Sequence, residues 1–478
     1  MDDASPPARG AGPSERVPRP SFSPDDLAPA VRARIQALLD MGGASQDAPL
    51  PPRVEQLWRK DSFAADIPFT NAMLVPMGVA DTGRLYETIA TIVARHGALR
   101  SRLAVQSGRA VQIAEDWKAS RLEVAQVRRE DLTDMRPGRV SAVSEFSAGA
   151  MDLYAQDGFR CQAFRDEQGE VTLGLLAHGF FADAWSSQIL LREIRAVHAA
   201  LGDGTVCDLP PVQQYADYAR ALRTSLAEKL PSHLAYWFDK LKDSGPAAFP
   251  YDRDGDTGRR GRSFFFLDQE IAERLSIVAR ESRVSLMILL LGAYHLALAR
   301  WSGTLDILSA AYTADRVRAE FQNTVGMLVT NMPVRARIDP GADLGSFLFD
   351  LSRDYYGGYA HREIACELYD AIFAPDAPFC ASVFNFVPLQ KNFSDSDLFV
   401  VPAFTGTLIS SDASRPAIYR EIYLGLSQHS NGMLAKVFYN AGHFSPDAIE
   451  NFIQDFRSVA HAIARAPSAK LKTLLARD

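Results

Sequence analysis

The chain has 478 residues, more than one hydrophobic core usually holds, so its length favours two domains or one large pseudo-symmetric body. Hydrophobic residues make up 47% of the chain and charged residues 23%, which excludes a disordered or fibrous protein. The 51 basic and 58 acidic residues give a net charge of −7 and form no basic block, so nucleic acid is not expected as a partner.

The N-terminal segment differs in composition from the rest of the chain. Proline is frequent in its first 30 residues, mixed with Ser, Gly and Arg, and such a segment cannot bury enough apolar surface to offset its ordering entropy. We therefore predict a flexible tail over residues 1–47. Within it, Pro24 to Leu39 has the near-helical spacing of a short docking helix.

After the tail, Asp81 can cap a helix that carries Leu85, Ile89 and Val93 at helical spacing. A strand is predicted to follow from Ala98 to Val105. The next clear unit is a buried strand from 171 to 177, which leads through a polar loop, 178–187, into a helix that stops at Gly202. This order of strand, polar loop and helix is a common layout for a functional site.

The second half of the chain repeats this rhythm. Proline-containing segments bracket an amphipathic stretch from Gln213 to Lys242. Beyond them we predict a helix pair from Asp268 to Trp301 and two strands, Asp306–Tyr312 and Val325–Arg335. The predicted division is an N-terminal lobe, 48–225, and a C-terminal lobe, 226–478.

No membrane or secretion signal is predicted. The chain does not begin with a basic and then apolar segment. Its most apolar run, Ser285 to Ala299, is shorter than the roughly 20 residues that span a bilayer and is predicted to be a buried helix. The cysteines form no CxxC or Cys/His cluster, which argues against a zinc site and a disulfide framework and fits a reducing cytoplasm; they are Cys161, Cys207, Cys366 and Cys380.

The densest polar cluster at the end of an apolar strand runs from His178 to Ser186. His178 and Asp183, five residues apart on one loop, could supply a general base and a carboxylate that orients it. The alternative is that His178 is a hydrogen-bonded core residue, which is the commoner fate of a lone histidine at a strand end. GxSxG, Walker and GxGxxG motifs are absent, so hydrolase, NTPase and dinucleotide-binding functions have no residues to rest on.

The segment LLAHGFFADAWS resembles the HHxxxDGxS signature of nonribosomal peptide synthetase condensation domains, which belong to the CoA-dependent acyltransferase superfamily. Further family motifs follow in order. RHGALRSRL resembles RHExLRTxF, and QYADY with LAYW resembles the QYxDYxxW and LxYW region. PYDR matches PxDR, RVRAE and VGMLVTNMPVR resemble RxxxE and GxFVNTLPLR, and FYNAGHF resembles YNxxxF.

This resemblance implies an α/β fold of two chloramphenicol-acetyltransferase-like lobes arranged as a V-shaped pseudo-dimer. The signature loop would lie at the bottom of a tunnel between the lobes. A carrier-tethered acyl donor would enter the tunnel from one face and the acceptor from the other.

The departures from the family pattern are also informative. The second signature histidine, usually assigned to position or deprotonate the attacking amine, is replaced by Gly179, and the signature glycine by Ala184. His178 is retained and is the candidate catalytic or substrate-positioning residue. Asp183 matches the structural aspartate, which in the family pairs with the arginine corresponding to Arg316. The pocket is expected to contain the signature residues Gly179, Ala184, Trp185 and Ser186 together with Asn331.

The implied function is transfer of an acyl or peptidyl group from a carrier-bound phosphopantetheine thioester to an amine or hydroxyl acceptor. No metal or bound cofactor is expected, since the carrier protein supplies the phosphopantetheine. The main alternative is a catalytically degenerate domain that docks carrier proteins or tailoring enzymes. A third possibility is an acyltransferase that uses CoA directly. A monomer is expected, because the fold is already a pseudo-dimer.

Overall fold

The computed structural model describes residues 29–40, 48–59, 70–117, 122–133, 145–146, 151–244, 249–253, 255, 260–373, 380–388, 421–429 and 431–477. Part of the predicted tail, 1–28 and 41–47, lies outside these residues. The short helix predicted within the tail is present as α1 (Pro29–Asp40). Ile35 of α1 is buried, and Arg34 donates a hydrogen bond to the backbone oxygen of Ile372 at 2.9 Å, so α1 docks on the second half of the chain.

The first half is a mixed sheet with helices packed on it. Strands β2 (Thr70–Gly78), β5 (Val124–Gln126), β6 (Phe159–Arg165) and β7 (Val171–His178) pair in the order β2-β7-β6-β5. A smaller antiparallel sheet has the order β1-β4-β3, from β1 (Ala48–Pro49), β3 (Ser101–Gln106) and β4 (Arg109–Ala114). The helices are α2 (Pro52–Arg59), α3 (Thr82–Arg95), α4 (Arg129–Thr133) and α5 (Ala184–Gly202), of which α3 and α5 pack together.

The second half is built on a mixed sheet in the order β10-β9-β11-β12-β13-β8. Its strands are β8 (Arg260–Asp268), β9 (Asp306–Ala314), β10 (Val329–Arg337), β11 (Ser382–Val387), β12 (Ile422–His429) and β13 (Gly432–Asn440). The helices are α7 (Gln269–Glu281), α8 (Leu286–Ser302), α9 (Leu344–Tyr359), α10 (Cys366–Phe373), α11 (Pro446–Arg465) and α12 (Leu471–Leu475). The buried helix predicted between Ser285 and Ala299 is α8, which packs against α11.

Side-chain caps explain where several helices begin. Helices α3, α5, α7, α8, α9 and α11 each follow an Asp or Ser whose side chain accepts a hydrogen bond from the backbone N–H of the third helical residue. Such a cap satisfies one of the N–H groups that the first helical turn leaves without a partner. The cap of α5 is Asp183, so the start of this helix and the signature loop are fixed by the same carboxylate.

One long helix, α6 (Tyr215–Leu241), joins the two halves. Tyr215 and Tyr218 pack into the hydrophobic core of the first half, whereas Leu226 and Trp237 pack into that of the second. The predicted boundary at 225/226 therefore falls inside a continuous helix, between the parts that enter the two cores. The division of the chain into two lobes at this position stays a prediction.

Two predicted strands begin later than expected. Residues 97–100 form a 3₁₀ turn, in which the Ser101 hydroxyl donates to the Gly97 oxygen at 2.7 Å, so β3 begins at Ser101 and not at Ala98. Strand β10 begins at Val329 and not at Val325. Residues 325–328 cannot join it because the backbone N–H groups of Gly326 and Leu328 donate to side chains of the signature loop and α5.

Among the described residues, no single helix is long and apolar enough to cross a membrane. Helices α7 and α8 together reach that length and composition, but they meet at a bend of 106°. Most of the α8 side chains are fully buried in the core of the second half.

Candidate functional site

The signature loop connects β7 to α5 and is organised by backbone hydrogen bonds. The N–H groups of Phe181 and Ala182 both donate to the backbone oxygen of His178, at 2.9 and 3.1 Å. Asp183 then ends the loop as the cap of α5, and its Oδ1 accepts from the Ser186 N–H at 2.7 Å. The predicted layout of strand, loop and helix is confirmed.

Asp183 and Arg316 form an ion pair between the two halves of the chain. Arg316 Nη2 lies 3.0 Å from Asp183 Oδ1 and 3.2 Å from Oδ2, and both side chains are almost fully buried. Asp183 Oδ2 also accepts the backbone N–H of Leu328 at 3.0 Å. On its other side, Arg316 Nη1 donates to the backbone oxygens of Phe321 at 3.2 Å and Thr324 at 2.7 Å. The structure thus brings together the two residues that the sequence paired.

Ser186 extends this contact between the halves. Its hydroxyl accepts the Gly326 N–H at 3.1 Å and lies within donating distance of the Gly326 oxygen, at 2.9 Å, and of Asp183 Oδ1, at 2.7 Å. Gly326 is required here by space, because an added Cβ would lie 2.2 Å from the ring of Tyr215. Ser186 is fully buried and is not among the described residues that line the cavity, so its placement in the pocket was wrong.

Asn331 was also expected in the pocket but lies in a separate buried network. Its Nδ2 donates to Glu367 Oε1 at 3.0 Å, and its Oδ1 accepts the Cys366 N–H at 3.0 Å. Glu367 in turn pairs with Arg53 of α2, with 3.0 Å between Glu367 Oε2 and Arg53 Nε. Arg53 also donates to Tyr312 Oη at 3.2 Å. Asn331 therefore supports a second buried contact between the halves, behind the cavity wall.

A cavity of about 590 Å³ lies between the two halves, beside the signature loop. Gly179, Ala184 and Trp185 line it, as predicted from the sequence. The guanidinium carbon of Arg316 is 5.8 Å from the Trp185 ring centre, and this cation–π contact holds the half-exposed indole in the wall. The other described residues that line the cavity are Asn71, Ala182, Asp183, Gln188, Ser285, Leu286, Met287, Tyr312, Thr313, Ala314, Met327, Val329, Tyr355, Asn385, Phe386, Val387, Pro388, Tyr423 and Gln428.

The cavity wall is almost uncharged. Among the described residues that line it, Asp183 carries the only formal charge, and its carboxylate is already occupied by Arg316 and three other donors. Burial raises the pKa of Tyr355 to about 12 and that of Tyr423 further still, so both phenols are neutral at pH 7. No described side chain in the wall is placed to act as a strong base near neutral pH.

His178 does not contribute its ring to this wall. The side chain is buried, its Nδ1 accepts the Phe180 N–H at 3.1 Å, and its ring meets the Phe180 ring edge to face. Burial lowers the pKa of His178 to about 3, so the ring is neutral at pH 7, and the contact at Nδ1 assigns its proton to Nε2. This placement fits the alternative of a hydrogen-bonded core histidine better than a group that touches substrate.

Several lining residues carry no signal in the sequence. Asn71 lies on β2, next to the signature loop only through pairing with β7, and Tyr355 comes from α9. Gln188 could have been found, because it follows Ala184 and Trp185 by four and three residues on one helix and so shares their face. Its side chain is the one cavity residue that the helical period alone predicts.

No metal centre is apparent in the described part of the chain, where no group of three or more His, Cys, Asp or Glu side chains could hold an ion. None of the four cysteines takes part in a disulfide bond. The cytoplasmic location stays a prediction from the sequence.

Comparison with known proteins identifies the family. The condensation domain sequence model matches residues 65–477. The chain belongs to the condensation domain family. A linear gramicidin synthase from Brevibacillus parabrevis is 25% identical over 403 residues, which are 81% of this chain but 8% of the synthase. This chain thus spans a small part of such curated relatives.

Two solved structures show the same fold. The condensation domain of the Monacolin K polyketide synthase MokA has a TM-score of 0.73 at 19% identity, over 88% of this chain and 98% of that one. The X-domain from teicoplanin biosynthesis, in its complex with OxyB, has a TM-score of 0.70 at 18% identity, over 91% and 97%. The predicted fold, two chloramphenicol-acetyltransferase-like lobes of mixed α/β structure, is confirmed.

The buried ion pair at the signature loop generates a test. Asp183→Asn leaves the Arg316 guanidinium buried without its counter-charge, so we expect the free energy of unfolding to fall by about 3–5 kcal/mol. Asp183→Leu combined with Arg316→Met leaves no orphaned charge and should cost less than the sum of the two single changes. Urea denaturation of wild type, the single variants and the double variant measures the coupling.

The matched control is Asp350→Asn, which removes one partner of the exposed Asp350–Arg353 pair on α9 and should leave the urea midpoint unchanged. Strictly additive losses in the Asp183 and Arg316 variants would contradict the coupling.

Proposed function

We propose that this domain transfers an acyl or peptidyl group from the phosphopantetheine thioester of a separate carrier protein to an amine or hydroxyl acceptor, in nonribosomal peptide or hybrid biosynthesis. The family membership supports the reaction class. The cavity between the halves supports turnover most directly, since its volume falls within the roughly 300–1,000 Å³ of small-molecule sites and it adjoins the signature loop.

Catalysis here would rest on positioning. The nucleophile attacks the thioester carbonyl carbon, the new C–N or C–O bond forms, the C–S bond breaks, and the proton of the nucleophile passes to the departing thiolate. Holding two reactants in one cavity supplies effective molarities of roughly 10⁵–10⁸ M, whereas a general base typically supplies about 10²- to 10⁴-fold. Loss of the histidine at Gly179 therefore removes the smaller of the two contributions.

The partners in this proposal are acyl or peptidyl carrier proteins and a small-molecule acceptor. The chain needs no cofactor of its own, because the phosphopantetheine arm belongs to the carrier and arrives as part of the substrate. A cytoplasmic monomer is the state in which we expect it to act.

A second candidate function is a docking module for carrier proteins or tailoring enzymes without turnover. Two observations favour it: Gly179 offers no imidazole to the cavity, and the ring of His178 lies outside the wall. The X-domain, which shares the fold, forms a complex with OxyB.

The deciding experiment loads a carrier protein that co-purifies with this chain with its acyl group, adds candidate amines and alcohols, and follows the products by mass spectrometry. We expect wild-type protein to form product above a no-protein control. Gly179→His is tested beside it, since the backbone at Gly179 does not adopt a positive φ and accepts a side chain. Turnover that is absent in wild type but present in Gly179→His would establish the docking module. The corresponding acyl-CoA, tested in parallel, should be a poor donor; equal rates would indicate an enzyme that uses CoA directly.

The role of His178 is tested by a matched pair of substitutions. His178→Asn places a carboxamide oxygen near Nδ1 and keeps an acceptor for the Phe180 N–H, so we expect nearly wild-type stability and turnover. His178→Ala leaves that buried N–H without a partner and should lower the free energy of unfolding by about 1–3 kcal/mol. If His178→Asn is stable but loses as much turnover as His178→Ala, the imidazole itself takes part in catalysis.

A further inference from the structure

Two carboxamide side chains in the cavity wall, Asn71 and Gln188, have hydrogen-bonding atoms that the fold does not use. Asn71 lies on β2 opposite Ala177 of β7, beside the start of the signature loop. Its Nδ2 donates to the backbone oxygen of Ala182 at 2.7 Å. Because that oxygen can only accept, the contact fixes the orientation of the amide and makes Oδ1 a free acceptor beside the loop.

Gln188 presents a second unused group. It lies on the face of α5 that also carries Ala184 and Trp185, and all three line the cavity. Its Oε1 is buried and has no hydrogen-bond partner in the structure. A buried carbonyl oxygen without a donor lowers stability, and in a native protein such an atom points to a ligand or water that completes it.

Building on the proposed acyl transfer, we infer that Asn71 and Gln188 form the binding site of the acceptor nucleophile and that this nucleophile is a neutral amine. An amine presents two N–H donors, which match the two carboxamide oxygens. Its nitrogen lone pair then remains available to attack the thioester.

The chemistry of the wall selects an amine over an alcohol. A carboxamide accepts a hydrogen bond but does not take a proton at neutral pH. Among the described lining residues, the Asp183 carboxylate is fully engaged and the tyrosines are acids of high pKa. A neutral amine needs no deprotonation before it attacks, whereas an alcohol is a weak nucleophile without a base.

The reaction balances without a further reactant. The amine nitrogen attacks the carbonyl carbon, the C–N bond forms and the C–S bond breaks. The proton that the nitrogen loses passes to the thiolate through solvent, which gives an amide and the free carrier thiol. Asn71 and Gln188 orient the nitrogen throughout and remain chemically unchanged.

The test uses amine and alcohol pairs that share a carbon skeleton, beginning with benzylamine and benzyl alcohol, with the acyl-loaded carrier as donor. We expect kcat/KM to favour the amine by about 10²-fold or more, the factor that a missing general base leaves to the alcohol. Calorimetric titration of the same two probes into the protein without donor should show tighter binding of the amine.

Gln188→Leu separates a binding role from a structural one. Removing the orphaned oxygen should leave the melting temperature unchanged or raise it, while the amine KM and Kd rise by about tenfold. Asn71→Leu should also weaken amine binding, with some loss of stability because Ala182 loses its donor. The control is Asn451→Leu, the same chemical change at an exposed position of α11, which should alter neither.

The outcomes are separable. Equal turnover of the amine and the alcohol would overturn the acceptor class but leave acyl transfer standing. A lower melting temperature with unchanged amine affinity in Gln188→Leu would overturn the site. If wild type turns over no acceptor, the proposed function fails; amine binding that is lost in Gln188→Leu would still support the site, and amine binding absent from wild type would overturn it.

Discussion

The buried contact between Asp183 and Arg316 is the interaction on which the site depends. One carboxylate caps α5, ends the signature loop and binds a guanidinium from the other half of the chain. Burying both charges is costly, and the cost is offset only because nearly every donor and acceptor of the pair is used. Its remaining contacts bring in backbone groups of residues 321–328, which otherwise would continue strand β10. The geometry of the cavity mouth therefore follows from this pair.

The same completeness removes Asp183 from the chemistry. A carboxylate that accepts hydrogen bonds from every side has no lone pair left to take a proton from substrate. With Gly179 in place of the second histidine and the ring of His178 turned into the core, the cavity keeps its shape while its titratable groups are withdrawn. The wall that remains can bind, orient and exclude water, which suits a reaction between an activated thioester and a nucleophile that is already reactive.

Local rules in the sequence predicted much of the fold. Capping residues and helical spacing located α3, α5 and the pair α7 and α8, and the signature motif located the loop and its arginine partner. The errors arose where a distant part of the chain takes over backbone hydrogen bonds: β10 starts late because Ser186 and Asp183 hold Gly326 and Leu328. Asn331 was misplaced because its partner Glu367 binds Arg53, which is 314 residues away in sequence. Asn71 reaches the site only through the pairing of β2 with β7, and single-sequence patterns do not specify that pairing.

The central claim is that the cavity promotes transfer by binding and positioning, without a base from the protein. The pH dependence of kcat/KM, measured with two amine acceptors of different pKa, tests it most directly. The account predicts a rate that rises with pH as each amine loses its proton, with an inflection that moves with the amine, because burial lowers the pKa of His178 to about 3, below the working range. An inflection near pH 6.5 shared by both amines would reveal an imidazole in the transition state and contradict the account.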